Sequence, residues 1–221
     1  MLLRQFPKLD RIPSNSVITF IGFVNFLKIP NKLIDNLYWL VDGQLLNKMT
    51  RITLGVSTEI SCFDFSGIAN DVILWAIESN FKILFVGGTS YENGRFLEII
   101  RNKYSNLICD GLNGYSELEK LKYLEANEFD IVVYGLGAPL QEVTADENKM
   151  KFRLSFTCGA FITQTSKNEG EYYPNFYHRF RLRWLYRSLK EKGHFLRILK
   201  ALTKINSIRK KLKLVQLSEF N

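Results

Sequence analysis

Short apolar runs that alternate with helical segments constrain the fold of this sequence more than any other feature. These apolar runs occupy residues 17–24, which are rich in β-branched and aromatic side chains, and residues 82–86, 106–109, 130–134 and 154–158. Helical segments are expected at residues 67–79, 93–104 and 117–127, and again after Pro139 to about residue 150. Apolar strands of this length that alternate with helices are typical of parallel sheets covered on both faces. We therefore predict an α/β, Rossmann-like fold in which a largely parallel sheet is flanked by helices.

The composition excludes several other classes of protein. Of the 221 residues, 46% are hydrophobic and 24% are charged, which is a globular balance and not that of a disordered chain. The most apolar stretch, residues 17–27, is shorter than the ~18 residues of a membrane-spanning helix. The first residues do not have the pattern of a signal peptide. The three scattered cysteines are typical of a cytoplasmic protein without disulfides.

Residues that usually hold metal ions are scarce. The chain has two histidines, no pair of cysteines separated by two residues, and no Asp-x-Asp sequence. Clustered cysteines and histidines hold zinc, and Asp-x-Asp holds a divalent cation in many enzymes that use sugar nucleotides. We therefore expect no bound metal ion and no other cofactor.

Positive charge is concentrated near the C-terminus. Residues 174–213 contain thirteen basic residues and one acidic residue, a net charge of +12, whereas the rest of the chain has 17 basic and 21 acidic residues. Apolar residues at helical spacing on both sides of Gly193 predict two amphipathic helices. We therefore divide the chain into an α/β body, residues 1–173, and a basic amphipathic appendage, residues 174–221. The charge leaves four interpretations open: a solvated face, an acidic membrane surface, phosphate groups of a ligand, or nucleic acid.

Three of the predicted strands end in glycine-rich turns. Gly87 and Gly88 follow one strand, residues 111–114 follow the next, and residues 135–137 follow a third. Ligands of parallel sheets bind at the carboxyl ends of strands, where glycines let backbone N–H groups approach a phosphate. The turns are equally typical of tight connections between strand and helix, so the glycines alone do not establish a ligand site.

Several short motifs occur in an order that resembles a known family. Residues 135–142 read Gly-Leu-Gly-Ala-Pro-Leu-Gln-Glu and are similar to the Gly-x-Pro-x-Gln-Glu signature of the WecG/TagA/CpsF glycosyltransferases. Val41, Asp42 and Gly43 resemble that family's Pro-Asp-Gly, and Gly114 with Tyr115 resembles its Gly-Tyr element. Residues 182–191 are similar to its block Leu-Glu-Trp-x-x-Arg-Leu-x-x-Glu. The resemblance extends over about residues 19–197, nearly the whole chain.

The resemblance implies an enzyme of cell-surface polysaccharide assembly, of the capsule, O-antigen or teichoic acid type. Members transfer a sugar, N-acetylmannosamine-like or another hexose, from a UDP-sugar to an acceptor on polyprenyl diphosphate. The transfer inverts the anomeric carbon and needs no metal. The family's basic appendage contacts an anionic membrane surface and supplies arginines to the active site. We therefore expect peripheral attachment to the cytoplasmic face of the plasma membrane and no nucleic-acid partner, and homo-oligomerisation stays open.

The resemblance also assigns roles to individual residues. Asp42 stands at the family's proposed catalytic base, although Asp-Gly also forms turns. Arg187 and Arg197 correspond to the arginines that stabilise the departing diphosphate. The residues expected to bind substrate are Thr19, Gly87, Gly88, Gly114, Tyr115, Gly137 and Gln141. Of these, Tyr115 would contact the uracil ring unless it is a core tyrosine. Glu142, next to Gln141, is interpreted as a helix cap.

The sequence departs from the family pattern at several positions. Glu59 stands where the family has arginine, Ile162 where it has aspartate, and Ile21 where it has asparagine. These differences imply changed donor or acceptor specificity. The alternative is a catalytically inactive relative that acts as a binding or scaffold subunit.

Overall fold

A single parallel sheet organises the protein. The computed structural model describes residues 1–168, 193–215 and 217–218. Within these residues eight strands pair in parallel, in the order β5-β4-β6-β7-β2-β3-β1-β8. The strands are β1 (Leu2–Leu3), β2 (Ser16–Gly22), β3 (Tyr38–Asp42), β4 (Ile83–Gly87), β5 (Cys109–Leu112), β6 (Ile131–Gly135), β7 (Leu154–Thr157) and β8 (Leu217–Ser218).

Helices cover both faces of this sheet. The α-helices are α1 (Asn31–Asn36), α2 (Gln44–Leu54), α3 (Ala69–Glu78), α4 (Ser90–Lys103), α5 (Leu140–Asn148), α6 (Phe161–Asn168), α7 (His194–Leu202) and α8 (Ile205–Leu212). Short 3₁₀ helices lie at Leu9–Arg11, Phe26–Lys28, Leu118–Lys122 and Lys149–Lys151. The predicted parallel α/β sheet with flanking helices is confirmed.

The strands are buried on both faces, so the protein has two core layers. Because side chains alternate along a strand, Phe85, Val133 and Phe156 face one layer, which α3, α4 and α6 complete. Val86 and Val132 face the other layer, to which α1, α2, α5, α7 and α8 contribute. This double burial explains the nearly continuous apolar runs in the sequence.

Three segments differ from their sequence-based predictions. The strand predicted at residues 106–109 lies at Cys109–Leu112, and β3 was not predicted as a strand. Residues 117–127, predicted as a helix, contain only the 3₁₀ helix Leu118–Lys122. There the Lys151 ammonium donates to the carbonyls of Leu121, Lys122 and Leu124. These three carbonyls therefore accept hydrogen bonds from a lysine that is distant in sequence, and not from the backbone N–H groups of a longer α-helix.

The described part of the appendage packs against the body. Ile208 and Leu212 of α8 are fully buried, and Lys211 donates a hydrogen bond to the Ile29 carbonyl. Strand β8 pairs with β1 at the edge of the sheet. The second predicted amphipathic helix is two helices, α7 and α8. The first predicted helix, which contains Arg187, and the boundary at residue 173 lie outside the described residues.

In the parts of the chain that the structure describes, no helix has both the length and the apolar character needed to cross a bilayer.

Candidate active site

The three glycine-rich turns meet at the carboxyl edge of the sheet. Gly87 pairs with Gly135, and the Gly114 N–H donates to the Gly88 carbonyl over 2.8 Å. A Cβ atom on Gly87 would lie 2.5 Å from the Gly135 carbonyl oxygen, and one on Gly114 would lie 3.2 Å from the Gly87 Cα. Real Cβ atoms essentially never approach a carbonyl oxygen that closely, so the turns need glycine in order to pack backbone against backbone.

These turns also lie where the direction of the chain reverses within the sheet. From β4 the chain passes to β5 on one side, whereas from β6 it passes to β7 on the other. Helix α4 contributes to one core layer and α5 to the other, on the opposite face of the sheet. Such a switch point leaves a crevice outside the strand ends, which is where parallel α/β sheets bind ligands.

A buried asparagine that the sequence analysis missed fixes the turn after β4. The Asn93 amide nitrogen lies 3.2 Å from the Phe85 carbonyl, 2.9 Å from that of Gly87 and 3.1 Å from that of Leu112. It therefore ties the ends of β4 and β5 together. The one available signal was its place in the first turn of the helix that follows the paired glycines.

The turn after β5 is organised by a second asparagine, and it exposes Tyr115. Asn113 Oδ1 accepts backbone N–H bonds from Tyr115 over 3.1 Å and from Ser116 over 2.9 Å. The Tyr115 side chain is 75% exposed. It is therefore not a core tyrosine, and its ring is accessible beside Gly114.

A cluster of buried polar side chains lies beneath the crevice: Thr19 of β2, Thr157 of β7, and Gln141 and Glu142 of α5. All four are at most 3% exposed. The Thr19 hydroxyl lies 2.7 Å from that of Thr157 and 3.2 Å from Glu142 Oε1. Gln141 donates to the same Oε1 over 2.9 Å and accepts from the Gly159 N–H over 3.2 Å. The cluster therefore joins two strands, α5 and the turn after β7.

Glu142 is a buried acid and not only a helix cap. Burial raises the pKa of its carboxyl, and the bonds from Gln141 and Thr19 oppose this rise only in part. Its Oε2 has no hydrogen-bond partner among the described residues, and neither do Tyr134 Oη and Trp39 Nε1. Tyr134 and Trp39 occupy the same row of the sheet as Thr19 and Thr157. The sequence indicates this residue only through the motif Gln-Glu, in which a helix cap is the expected role.

Asp42 lies at one side of the crevice, on strands that extend beyond the glycine turns. It ends β3 and pairs with Gly22, three residues beyond the pair of Thr19 and Trp39. Gly87 and Gly135 lie only one residue beyond that row. At ~3.3 Å per residue, β2 and β3 therefore rise ~7 Å above the glycine turns. Three strand spacings separate β3 from β6, which is ~14 Å across the sheet.

The remaining candidate residues are placed as follows. Gly137 has φ of +75°, and a Cβ atom there would meet nothing within 4 Å, so this turn faces open space. Arg197 lies on α7, exposed, one turn before Ala201 of the core. Arg187 lies outside the described residues. The structure thus brings Thr19 and Gln141 together through Glu142. It also brings Gly87, Gly88 and Gly114 together. Asp42 lies at the same edge of the sheet, to one side of these residues.

The two most prominent departures from the family pattern have different surroundings. Ile162 is fully buried on α6, and its Cδ1 atom would lie 3.1 Å from a Cβ atom on Gly135. An aspartate there would place a carboxylate in the core, so isoleucine suits this packing. Glu59 is exposed near the end of β1, where its carboxylate accepts from the Phe6 N–H over 3.3 Å.

Across residues 1–168 and 193–218, apart from residue 216, no three or more His, Cys, Asp or Glu side chains are grouped as ligands. The polar groups near the crevice include amides, hydroxyls, backbone N–H groups and the carboxyls of Glu142, Asp42 and Glu92, the last of which pairs with Lys167 over 2.9 Å. Such groups bind hydroxyls and phosphates by hydrogen bonds.

Comparison with known proteins agrees with this geometry. The Glycosyl transferase WecG/TagA/CpsF family matches residues 31–214. The chain is also 34% identical, over 199 residues, to a UDP-Gal:alpha-D-GlcNAc-diphosphoundecaprenol beta-1,4-galactosyltransferase of Shigella boydii. That alignment covers 84% of this chain and 84% of the relative. The chain therefore belongs to the WecG/TagA/CpsF family and is a glycosyltransferase.

Proposed function

We propose that this enzyme transfers a hexose, with galactose as the first candidate, from a UDP-sugar to a sugar on polyprenyl diphosphate. The observation that carries the proposal is the crevice in which three glycine turns meet above the cluster of Thr19, Gln141 and Glu142. The activity of the Shigella boydii relative supplies the substrate class. Such a reaction would serve the assembly of a cell-surface polysaccharide.

The donor would lie along the glycine turns. The open turn at Gly137 is suited to the diphosphate, and the exposed ring of Tyr115 is suited to the uracil. Gln141 would bind hydroxyls of the sugar, since an amide offers both donors and an acceptor. The sugar would then lie between the glycine turns and Asp42 at the end of β3.

Asp42 would serve as the general base. UDP-galactose carries its sugar in the α configuration, and the relative makes a β linkage, so direct displacement with inversion accounts for the product. Such a displacement needs a group that removes the proton of the acceptor hydroxyl, and a positioned carboxylate contributes ~10²- to 10⁴-fold. Asp42 is half-buried on the wall of the crevice, where an acceptor can approach.

The departing UDP carries negative charge that a metal-free enzyme must stabilise with its own groups. Arg187 and Arg197 are the residues we propose for this task, because a guanidinium forms two parallel hydrogen bonds with a phosphate. Arg197 follows Gly193 closely on α7, which rests on the body through Ile198 and Ala201.

Attachment to the membrane is proposed for the outer surface of α7 and α8. Phe195, Leu196 and Leu199 of α7 are each at least 42% exposed. Arg209 and Lys210 of α8, and Lys213 directly after it, line an open groove of about 620 Å³ beside α2. Exposed apolar side chains next to basic ones are typical of helices that lie on anionic bilayers. The lipid-linked acceptor would be presented at the cytoplasmic face of such a surface.

The proposed reaction is tested by measuring UDP release from a panel of UDP-sugars with N-acetylglucosamine linked through diphosphate to a lipid. We expect release with UDP-galactose that depends on the acceptor and continues in the presence of a metal chelator. Asp42→Asn should lower kcat by at least ~100-fold with little change in UDP affinity. Asp71→Asn, which alters an exposed aspartate of α3, is the matched control. Acceptor-dependent turnover in Asp42→Asn near that of the wild type would contradict the assignment of the base.

A further inference from the structure

We propose that Glu142 is a positioning residue of the donor site, whose uncharged carboxyl holds the Gln141 amide in one orientation for the sugar nucleotide. This inference rests on the proposed function, because it concerns how the same crevice binds its donor. Glu142 would act through Gln141 and need not contact the substrate itself. The directions of the hydrogen bonds inside the buried cluster support this role.

The orientation of the Gln141 amide follows from its neighbours. The Gly159 backbone N–H can only donate, so the atom of Gln141 that faces it, over 3.2 Å, must be the carbonyl oxygen. The amide nitrogen must then face Glu142 Oε1, 2.9 Å away. A reversed amide would place N–H against N–H at one end, and its carbonyl oxygen against Glu142 Oε1 at the other.

The positions of the hydroxyl protons follow from the same reasoning. Glu142 Oε1 accepts from Gln141, and the Thr19 hydroxyl, 3.2 Å away, donates to it as well. Thr19 has one proton, so the short 2.7 Å contact with Thr157 is a bond in which Thr157 donates. In the uncharged form of the carboxyl, Oε1, which accepts both bonds, is the carbonyl oxygen, and the proton of Glu142 resides on Oε2.

The surroundings of the carboxyl favour this uncharged form. Burial raises the pKa of Glu142, and no cation lies within hydrogen-bonding distance of it among the described residues. The facing groups are the hydroxyls of Thr19 on β2 and Thr157 on β7, and Tyr134 on β6, whose pKa burial also raises. The charged side chains of α1, Lys32 and Asp35, are exposed. On α5, Asp146 pairs with Lys149 over 2.8 Å.

Ionisation of Glu142 would oppose donor binding in two ways. A carboxylate beneath the glycine turns would repel the diphosphate that we place there, because charges interact strongly where water is excluded. It would also compete for the remaining N–H of Gln141, which has no partner among the described residues and is the group available to the sugar. Donor affinity should therefore fall as the pH rises and Glu142 loses its proton.

The experiment compares the wild type with Glu142→Gln and Glu142→Ala. A glutamine has the shape of the uncharged acid and stays uncharged, whereas alanine leaves the Gln141 amide and the Thr19 hydroxyl without their acceptor. The affinities for UDP and for UDP-galactose are measured by calorimetry, and kcat and the donor KM are measured with the lipid-linked acceptor, from about pH 6 to about pH 10. Melting curves for each protein establish that it is folded.

We expect Glu142→Gln to bind UDP-sugar within about threefold of the wild type and to lack the loss of affinity at high pH. Glu142→Ala should raise the donor KM by about tenfold or more, with a smaller effect on kcat. Gln141→Ala should raise the donor KM by a similar factor. The donor KM of the double variant Gln141→Ala/Glu142→Ala should be no higher than that of either single variant, because both residues act through one amide.

Two results would overturn the inference while leaving the proposed function intact. One is a Glu142→Gln variant as impaired as Glu142→Ala, which would mean that a carboxylate is required. The other is a pH dependence of donor affinity that Glu142→Gln shares with the wild type. A folded wild type that binds no UDP would instead overturn the proposed function, and this inference with it. If Glu142→Ala does not fold, the pH dependence of donor affinity in the wild type and in Glu142→Gln still tests the inference.

Discussion

At the residue scale, the candidate site divides into residues that a motif can indicate and residues that only packing reveals. Gln141 and Asp42 belong to recognisable sequence motifs, and the structure places them at the edge where parallel sheets bind ligands. Asn93 and Glu142 were missed or given another role, because their importance comes from partners far away in sequence. Glu142 contacts Thr19, which is 123 positions away, and no local pattern encodes such a pair.

The first prediction at this scale concerns Gly87. A Cβ atom there would lie 2.5 Å from the Gly135 carbonyl oxygen, and the residue has φ of +152°. Gly87→Ala should therefore destabilise the protein by roughly 2 kcal/mol or more, as measured by urea unfolding. Gly94→Ala is the control, because Gly94 lies in α4 with nothing within 4 Å of its would-be Cβ. That change should stabilise the protein by about 0.5–1 kcal/mol, and equal effects of the two would contradict the close approach of the turns.

The second prediction concerns stability and pH at Glu142. The pKa of Glu142 is raised in the folded protein, so the folded state holds its proton at pH values where the unfolded chain has lost it. Its contribution to stability is then fully present below the unfolded pKa of ~4.3 and is lost as the pH rises through the folded pKa. Glu142→Gln should therefore gain stability relative to the wild type as the pH rises.

The measurement for Glu142 is the melting temperature of both proteins across that range of pH. The difference between Glu142→Gln and the wild type should widen as the pH rises above ~4.3 and become constant once the pH has passed the folded pKa. Glu119→Gln alters an exposed glutamate, and its curve should run parallel to that of the wild type. Parallel curves for Glu142→Gln as well would mean that this carboxyl titrates as it does in the unfolded chain.

At the element scale, the sequence predicted elements whose apolar pattern is local and failed where distant groups decide. The runs at residues 82–86, 130–134 and 154–158 match β4, β6 and β7 closely, because a strand buried on both faces must be apolar throughout. The two residues of β1 are too few to show any period, and β5 begins only at Cys109. Residues 117–127 have helical spacing, yet Lys151 binds the carbonyls that a helix would need.

This explanation of the 3₁₀ segment yields the third prediction. Lys151→Ala removes a charged donor from three carbonyls, of which those of Leu121 and Lys122 lie 2.7 and 2.8 Å from the ammonium. The loss should cost about 1.5 kcal/mol or more, since hydrogen bonds to charged groups are the stronger ones. Lys149→Ala loses only a pair with Asp146 within α5 and its extension, which should cost about 0.5 kcal/mol or less.

Chemical denaturation of both lysine variants measures these costs, and hydrogen exchange locates them. In Lys151→Ala the amides of residues 118–124 should exchange faster than in the wild type, while those of β4 and β6 stay protected. If Lys151→Ala is no less stable than Lys149→Ala, the lysine does not determine the end of the 3₁₀ helix.

At the scale of the whole molecule, the fold class was predictable and the strand order was not. Alternating strands and helices require a parallel sheet, but many orders satisfy that requirement. The order β5-β4-β6-β7-β2-β3-β1-β8 depends on pairings between distant segments, such as Leu2 with Leu217. This order places the glycine turns at a switch point and Asp42 two strands beyond β7. Motifs could therefore nominate the site residues, while only the topology gives the distances between them.

The uneven distribution of charge is also a property of the whole molecule, and it leads to the last prediction. Residues 174–213, which include α8, carry a net charge of +12, against −4 for the rest of the chain. Arg209, Lys210 and Lys213 are exposed along one groove. Each basic residue near an anionic bilayer contributes about 1 kcal/mol to binding at physiological salt. Reversing all three charges should therefore lower partitioning to anionic vesicles by at least about 100-fold.

Vesicle sedimentation at several salt concentrations tests this expectation against a matched control. The variant with Lys8→Glu, Lys82→Glu and Lys122→Glu has the same change in net charge on exposed lysines of the body. It should retain most of its vesicle binding, because a local surface and not the total charge approaches the lipid. UDP affinity should be unaffected in both variants, since neither set lies on the glycine turns. Equal losses of vesicle binding in the two would mean that net charge alone attracts the protein, and that α7 and α8 present no membrane surface.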